Sequence, residues 1–370
     1  MSVLSGTLVV SLEQAVAAPY ASRLLAEGGA RVIKIEREEG DFARDYDHVI
    51  AGESAYFVWL NAGKESLVLD VKHAADMAIL KTMLARADVF LQNLRPGVVA
   101  RLGLDYESLA ALNPGLVMCS ISGYGEGGAL SDLKAYDFLV QAESGLCAVT
   151  GTKDWPARCG VSVCDISTGL TAYGEILRAL LERTASGRGR HVEVSLFGVM
   201  TEWMTVPLAY AKYGGKVLTG TGLHHAQIAP YGAYETADGL IIIAVQNQRE
   251  WLKLCTEVLD DAALATDARF KTNVDRVANR DALQVVIETV FKRHPRAALA
   301  ALLESADIAY GRINTPDEVW DHPQLKTKEV ELNGRRITLV RRSGEETSAP
   351  RAVPRLGAHT DAIKQEFAAR

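Results

Sequence analysis

Short apolar runs alternate with helical patterns along the first 200 residues. Six of these runs have the length and composition of buried strands, and they lie at 7–12, 31–36, 66–70, 88–93, 116–122 and 191–197. Between the first two, ASRLLAEGG follows Pro19, which suits a first helical turn, and ends at glycine. This βαβ beginning predicts a large α/β domain built on a Rossmann-like open parallel sheet.

The pattern changes after about residue 200. The stretch YGGKVLTGTGLHHAQIAPYG is rich in glycine and aperiodic, which indicates a linker or binding loop. YGAYETADGLIIIAV predicts a hairpin that turns at Asp238–Gly239, and helical segments follow it. A second hairpin is predicted at 331–340, with Asn-Gly at its turn. We therefore expect a large domain over 1–200, a linker over 201–220 and a smaller α+β domain over 221–318.

Composition narrows the class of protein. The chain has 370 residues, of which 48% are hydrophobic, so it can bury a substantial core. Forty basic against 46 acidic residues argue against a nucleic-acid-binding protein, but an anionic small molecule stays compatible. The sequence has no basic leader, and no run approaches the ~18 to 20 apolar residues of a membrane span. Five scattered cysteines without a CxxC predict reduced thiols, a cytoplasmic protein and no zinc site.

A dinucleotide-binding enzyme is the first functional hypothesis that a βαβ beginning raises. The first turn, SLEQAVAAPYASRLL, contains no glycine, whereas the dinucleotide fingerprint needs glycines for close approach of the pyrophosphate. Glu36 ends the second predicted strand, where an acid could bind a ribose, but Arg37 beside it favours a phosphate. The predicted topology therefore survives this test, and NAD binding does not.

In the stretch CGVSVCDISTGLTAYGEILRALLER, residues 159–183, an ionisable side chain stands between a predicted strand and a predicted helix. An apolar run typical of a buried strand ends at Asp165, and a helical pattern begins directly after it. Aspartate at that point is a favoured helix N-cap, and a reactive carboxylate is the rarer alternative. Gly169 and Gly174 interrupt the helical pattern, and each costs about 1 kcal/mol relative to alanine. They indicate close helix packing or close approach of a ligand.

Seven blocks resemble the class III CoA-transferases, the family of formyl-CoA transferase and carnitine CoA-transferase. They occur in the family's order across nearly the whole chain: SLEQAVAAPYASRLLAEGGARVIKIER, LVLDVKH, DVFLQNLRPGVVARLGLDYESLAALNP, ISGYGEGG, AYDFLVQAESGL, VSVCDISTGLTAYGEILRALLER and LGAHTD. The resemblance implies that Asp165 is a covalent nucleophile toward an acyl-CoA thioester. It also implies that Asp137 contributes to turnover. CoA thioesters and small carboxylic acids are then substrates, and no permanently bound cofactor is expected.

The resemblance also implies which residues bind CoA. Gln14 and Ala15, at the first βα turn, match positions near the reacting thioester. Further matches to CoA-contacting positions are Arg37, Leu69, Asn93, Leu94, Arg101 and Lys134. Arginine suits a phosphate through its bidentate fork, and lysine acts as a point charge. Leu94 replaces the aromatic residue of formyl-CoA transferase, so stacking on adenine is not expected from that side chain.

Racemases of 2-methylacyl-CoA share the fold and provide an alternative from another reaction class. They carry a histidine directly before an aspartate in the block that matches AYDFLV, whereas this chain has Tyr136–Asp137. Tyrosine, with an unperturbed pKa near 10, is a poor acid–base substitute for imidazole at neutral pH. A transferase is therefore favoured, and a non-catalytic CoA-binding protein is a further alternative.

The acid substrates are predicted from the region TGLHHAQIAPYGAYETADG and the following VQNQREW. These phrases resemble the subgroup that acts on C4–C5 dicarboxylates, with succinyl-CoA as donor and itaconate, mesaconate or citramalate as acceptor. One branch instead moves CoA within mesaconyl-CoA. His224 and His225 are candidates to hold the distal carboxylate, and Tyr231 and Gln246 are weaker candidates. Adjacent residues of a strand face opposite sides, so both histidines converge only if the loop is irregular.

The resemblance also has consequences for architecture. It implies that the last segment, 319–370, returns to the large domain. It further implies an interlocked homodimer, in which each chain threads the other like a chain link.

Overall fold

The computed structural model describes residues 2–346 and 349–368. Six strands form one parallel sheet in the order β3-β2-β1-β4-β5-β6. They span Leu8–Leu12 (β1), Arg31–Glu36 (β2), Glu65–Val68 (β3), Val89–Gln92 (β4), Val117–Ser122 (β5) and His191–Ser195 (β6). The six apolar runs predicted as strands contribute to this sheet, which confirms the open parallel architecture. The order is that of a doubly wound dinucleotide-type sheet.

The helices cover both faces of the sheet, which explains why its strands are apolar on both sides. Helices α1, α8 and α9 pack on one face, and α3, α5 and α16 pack on the other. The sixteen helices of the described chain are Ala17–Glu27 (α1), Ala55–Asn61 (α2), Ala74–Leu84 (α3), Val98–Arg101 (α4), Tyr106–Leu112 (α5), Asp137–Glu143 (α6), Leu146–Val149 (α7), Val163–Ser186 (α8), Leu196–Trp203 (α9), Thr205–Tyr213 (α10), Gln248–Lys253 (α11), Asn273–Ala278 (α12), Arg280–Phe291 (α13), Arg296–Ser305 (α14), Pro316–Trp320 (α15) and Thr360–Phe367 (α16). None of them is both long and apolar enough to cross a bilayer.

The chain forms two compact units. The first contains Met1–Leu146, Cys159–Val206 and Lys326–Arg370, and the second contains Cys147–Arg158 and Pro207–Leu325. The segment 147–158, which the predicted division assigned to the large domain, belongs to the second unit. The reason is pairing with residues that are distant in sequence. The backbone N–H of Gly220 donates to the carbonyl of Ala148 at 3.0 Å, and Thr152 forms a β-bridge with Thr221.

Two hairpins lie close to their predicted positions. In the second unit, Tyr231–Thr236 (β7), Gly239–Ala244 (β8) and Ala309–Gly311 (β9) form an antiparallel sheet over a core that includes Trp251 and Phe291. In the first unit, Thr327–Leu332 (β10) and Arg335–Val340 (β11) pair around Asn333 and Gly334, and Arg351–Ala352 (β12) joins them. Both turn residues have positive φ, as a tight hairpin turn requires.

The prediction of a strand ending at Asp165 is wrong. Helix α8 already begins at Val163, and Asp165 is the third residue of its first turn. The run before it forms no ladder, since its backbone N–H groups bond to side chains and local carbonyls instead. The N–H of Cys159 donates to Gln141 Oε1 at 2.8 Å, and that of Cys164 donates to Asp137 Oδ1 at 2.8 Å. Asp165 is therefore not the N-cap residue, a position that Ser162 occupies.

The two glycines inside α8 differ in what surrounds them. A Cβ atom added to Gly169 would lie 2.4 Å from the carbonyl oxygen of Ala17, at the start of α1. A Cβ added to Gly174 would meet nothing within 4 Å. Close packing therefore explains Gly169, and it does not explain Gly174.

This contrast predicts opposite effects of one substitution on stability. We expect Gly174→Ala to raise the free energy of unfolding by up to about 1 kcal/mol, because alanine is the better helix former. We expect Gly169→Ala to lower it by about 1–3 kcal/mol, because α1 and α8 must separate. Urea denaturation of the two variants against the wild type measures both changes. Equal effects of the two substitutions would contradict the assigned contact.

Candidate active site at the carboxyl edge of the sheet

The strand order reverses between β1 and β4, and ligands of doubly wound proteins bind at the carboxyl ends of such strands. Gln14 follows β1, and Asn93 follows β4. The N–H of Gln14 donates to Asn93 Oδ1 at 3.0 Å, and Asn93 Nδ2 donates to the Gln14 carbonyl at 2.9 Å. This reciprocal pair joins the two loops at the point of reversal.

Ala15 has a backbone conformation that residues other than glycine rarely adopt. Its φ is 64°, in the left-handed region, and such a residue persists only where its surroundings enforce it. Its N–H donates to Asp41 Oδ1 at 3.1 Å, and Asp41 also accepts from the N–H of Ala43 at 3.0 Å. The backbone N–H groups of Gln14 and Ala15 are therefore both occupied in this turn.

A buried cluster of charges lies behind the turn. Lys34 Nζ is 2.7 Å from Asp41 Oδ2 and 3.6 Å from Glu13 Oε1, and Lys64 Nζ is 2.8 Å from the same Glu13 oxygen. All four side chains are buried. Burial lowers the pKa of Lys64 to about 8. Removing one member of such a cluster leaves an unpaired buried charge, which typically costs about 3–5 kcal/mol.

Asp165 presents its carboxylate without a partner. In the part of the chain that the structure describes, no hydrogen bond or ion pair to this carboxylate is formed, and the side chain is only partly exposed. Burial, and after it the charge of Asp137, raises its pKa to about 7. Asp137 Oδ1 accepts the N–H groups of Cys164 and Asp165, at 2.8 and 3.2 Å. The two acids are therefore held close together by the first turn of α8.

A cavity of about 190 Å³ opens onto Asp165. Six residues that the sequence predicted line it together: Gln14, Ala15, Asn93, Leu94, Lys134 and Asp165. The sequence analysis missed the aromatic wall of this cavity, which consists of Phe42, Tyr46 and Tyr136. Burial, followed by the charges of Asp41 and Asp165, raises the pKa of Tyr46 to about 12. Phe42 begins a short 3₁₀ turn, Phe42–Asp45, directly after Asp41, and no feature of the sequence marked these side chains as a cavity wall.

The remaining predicted CoA positions lie apart from Asp165. Arg37 and Leu69 line a neighbouring cavity of about 180 Å³, which shares Gln14 and Leu94 with the first cavity. Arg101 ends α4, is exposed and lines neither cavity. Besides Asp165, seven of the predicted positions in the first unit therefore line one or both of these cavities, and Asp165 lines the first.

The predicted substrate residues of the second unit do not form one cluster. The ring of His225 stacks on Tyr231, with centroids 5.2 Å apart, whereas His224 meets the edge of buried Tyr234 at 5.5 Å. The two histidines therefore face different neighbours. Burial, and after it the charge of Arg280, lowers the pKa of His224. The backbone N–H of Gln246 donates to Glu250 Oε2 at 2.7 Å.

The described residues contain no group of three or more His, Cys, Asp or Glu side chains placed to hold a metal ion.

Comparison with known proteins identifies the family of the chain. The model of CoA-transferase family III matches residues 4–360. The chain is 34% identical to acetyl-CoA:oxalate CoA-transferase of Acetobacter aceti, over 98% of this chain and 95% of that one. It is 33% identical to succinyl-CoA:glutarate CoA-transferase of Mus musculus, over 99% and 86%. A crystal structure of a CaiB/BaiF family protein from Brucella suis is 34% identical, covers 99% of both chains and superposes with a TM-score of 0.82.

The chain thus belongs to CoA-transferase family III. It is an enzyme of CoA transfer, whose substrates are CoA thioesters. This membership confirms the resemblance that the seven sequence blocks carry.

The raised pKa of Asp165 predicts a measurable cost in stability. Its folded-state value of about 7 lies above its ordinary value of 3.8, so the ionised carboxylate opposes folding. This cost is absent below pH ~4, grows as the pH rises and is complete above pH ~7. We therefore expect Asp165→Asn to stabilise the protein at pH 8 by about 1–3 kcal/mol, and by less at pH 5. Thermal unfolding at the two pH values checks this, and equal shifts at both would contradict the raised pKa.

Proposed function

We propose that this enzyme moves CoA from a donor acyl-CoA, succinyl-CoA in the simplest case, to a C4–C5 dicarboxylic acid such as itaconate, mesaconate or citramalate. The observation that carries the proposal is the unpaired carboxylate of Asp165 in a cavity at the carboxyl edge of the sheet. Relatives named as acting on dicarboxylates support the class of acid. One is the succinyl-CoA:D-citramalate CoA-transferase of Chloroflexus aurantiacus, 30% identical over 86% of this chain and 80% of that one.

The chemistry needs four carbonyl attacks and no ATP. Ionised Asp165 attacks the thioester carbonyl of the donor, the C–S bond breaks, and CoA leaves as thiolate with a mixed anhydride behind it. The thiolate then attacks the aspartyl carbonyl, releases the donor acid and forms an aspartyl–CoA thioester. An acceptor carboxylate attacks this thioester and expels CoA thiolate, which finally attacks the acceptor carbonyl of the new anhydride. The product is the acceptor thioester, and Asp165 is again a carboxylate.

The residues around the two cavities have complementary roles in this proposal. The Gln14 side chain and the Ala15 turn contact the thioester region beside Asp165. Lys134 and Arg37 meet the phosphates of CoA, and Arg101 extends this positive edge from the exposed end of α4. Leu69 and Leu94 offer apolar surface to the adenine, and Asn93 acts by holding Gln14. His225 and Tyr231, with His224 and Gln246, are proposed to bind the distal carboxylate of the acid.

The alternatives differ in what they require of the same residues. A 2-methylacyl-CoA racemase needs an acid–base histidine at the position of Tyr136, and both oxygens of Asp137 beside it already accept hydrogen bonds, from two backbone N–H groups and from Gln141. Movement of CoA within mesaconyl-CoA uses the same Asp165 chemistry with a single acid. A non-catalytic CoA-binding protein would need Arg37 and Arg101 but not Asp165.

We also propose that the enzyme is a homodimer, interlocked as the family resemblance implies. Helix α10 supports this, since none of its nine residues is buried. Val206, Leu208, Tyr210 and Tyr213 are exposed along it, with Tyr213 at 79%. An apolar surface of this kind marks an interface between proteins. The scattered cysteines, none of them in a CxxC motif, fit the cytoplasm as the proposed location.

The dimer proposal predicts the effect of a charge on α10. We expect Tyr213→Glu to weaken self-association by at least about tenfold, because a carboxylate would be desolvated in the interface. Sedimentation or light scattering at several concentrations measures this, with Tyr310→Glu, an exposed tyrosine on β9, as the matched control. A wild-type protein that stays monomeric at all concentrations would overturn the proposal.

Transfer is tested by incubating the enzyme with succinyl-CoA and a mixture of itaconate, mesaconate, citramalate, glutarate and oxalate, followed by mass spectrometry of acyl-CoA products. We expect a new dicarboxylyl-CoA from the wild type and a loss of at least about a thousandfold with Asp165→Asn, since no other group can form the anhydride. Mesaconyl-CoA alone, without a free acid, tests the intramolecular alternative.

Asp105→Asn is the matched control, because Asp105 is a true N-cap whose side chain accepts from Ser108 N–H. Asparagine keeps that cap, so activity should stay at the wild-type value. Equal product from wild type and Asp165→Asn would show that Asp165 is not the nucleophile.

A further inference from the structure

The first turn of α8 carries a capping-box sequence that the fold leaves open. Ser162 is the N-cap residue and Asp165 is three positions later, the spacing at which the side chain of the later residue bonds back to the cap. The chain forms this box elsewhere. At the start of α12, Asp275 accepts from both the N–H and the hydroxyl of Thr272, at 3.2 and 2.6 Å. Asp165 makes no corresponding bond to Ser162.

Two neighbours occupy the groups that a closed box would use. The Ser162 hydroxyl lies 3.1 Å from the hydroxyl of Tyr56 and caps no backbone group. The N–H groups of Cys164 and Asp165 donate to Asp137 Oδ1. Because Asp137 comes from the start of α6, a carboxylate on a different helix caps the first turn of α8.

Gln141 fixes Asp137 in this position. It is fully buried one turn further along α6, and its Nε2 donates to Asp137 Oδ2 at 2.7 Å. Its Oε1 accepts the N–H of Cys159 at 2.8 Å, so the same amide also holds the segment that leads into α8. A neutral side chain does this without placing a second charge beside Asp165.

We propose that Gln141 is a positioning residue for the nucleophile: it holds Asp137 across the N–H groups of Cys164 and Asp165, so that Asp137 rather than Asp165 accepts these two donors and the Asp165 carboxylate remains unpaired for attack. This inference rests on the proposed role of Asp165 as nucleophile. An unpaired carboxylate is the stronger nucleophile, because hydrogen bonds to its oxygens stabilise the charge that must attack.

The other groups that face Asp165 do not replace this arrangement. Tyr46 lies close enough to interact with its charge, and Tyr136, Lys134 and Arg95 line the same cavity. The start of α1 contributes only the uncharged Ala17. Among the described residues, Asp137 is the side chain whose charge raises the pKa of Asp165, and Gln141 holds that side chain in place.

The test is Gln141→Met, which keeps the length and neutrality of the side chain and removes its hydrogen bonds to Asp137, Cys159 and Val161. Released from Gln141, Asp137 no longer blocks the first turn, and Asp165 gains N–H donors while it loses a neighbouring charge. Both changes lower the pKa of Asp165. We expect a fall of about one unit or more, measured by ¹³C NMR titration of labelled aspartates. The Asp165 resonance is identified by its absence in Asp165→Asn.

Kinetics give the second readout. We expect Gln141→Met to shift the acid limb of kcat/KM to lower pH and to reduce the plateau kcat about tenfold or more. KM for the acyl-CoA should change little, because Gln141 touches neither cavity. Val140→Ala is the matched control: Val140 is the adjacent, equally buried residue, and its truncation should lower stability without moving the pH profile.

A double-mutant cycle with Asp137→Asn tests whether Gln141 acts through Asp137. In that background Gln141→Met should have less than about a twofold further effect. An unchanged Asp165 pKa in Gln141→Met, or an equal loss in both backgrounds, would overturn the inference. The NMR titration needs no turnover, so an inactive wild type would defeat the proposed function while the positioning role is still tested.

Discussion

The salt bridge between Lys34 and Asp41 holds the backbone around the cavity that opens onto Asp165. An ammonium group with no solvent exposure must be neutralised where it lies, and Asp41 is the nearest carboxylate. The same carboxylate has a second oxygen, which accepts the N–H of Ala15 and so stabilises a backbone conformation that alanine otherwise avoids. One buried charge thereby determines both the path of the chain after β1 and the position of the segment that bears Phe42 and Tyr46. Glu13 and Lys64 complete the neutralisation on the other side.

Three independent supports therefore meet around one carboxylate. The ionic cluster fixes the turn after β1, the amide pair of Gln14 and Asn93 joins the loops at the reversal of strand order, and Asp137 closes the first turn of α8. Each support consists of polar groups whose hydrogen-bonding capacity is used for structure. Asp165 differs from these groups, because its carboxylate accepts no hydrogen bond in the described part of the chain. An unpaired carboxylate is what the proposed nucleophile requires.

The sheet could be predicted from the sequence because its strands are buried on both faces. β2 coincides with the predicted run 31–36, and the other strands differ from their runs by at most two residues at either end. The start of α8 could not be predicted in the same way. The residues before α8 are apolar enough for a strand, but the N–H of Cys159 bonds to Gln141 and that of Cys164 bonds to Asp137, 18 and 27 residues away. Residues 147–158 were placed in the wrong unit for a similar reason, since their partners lie near residue 220.

Individual site residues show the same division. Gln14, Asn93 and Asp165 could be named because they lie in sequence blocks that resemble the CoA-transferases. Tyr46 could not, because it lies outside those blocks, and nothing in the local sequence marks Gln141 as the amide that holds Asp137. The rings of the adjacent histidines face different neighbours, a point that the sequence left open.

The contact at Gly169 has a consequence for how the site responds to motion. Only the hydrogen atom of Gly169 separates α8 from the carbonyl of Ala17. The start of α1 and the first turns of α8, which carry Asp165, are therefore in direct contact. Thermal displacement of one helix is therefore transmitted to the other. We therefore expect the turn after β1 and the Asp165 carboxylate to move as a pair, with a nearly constant distance between them.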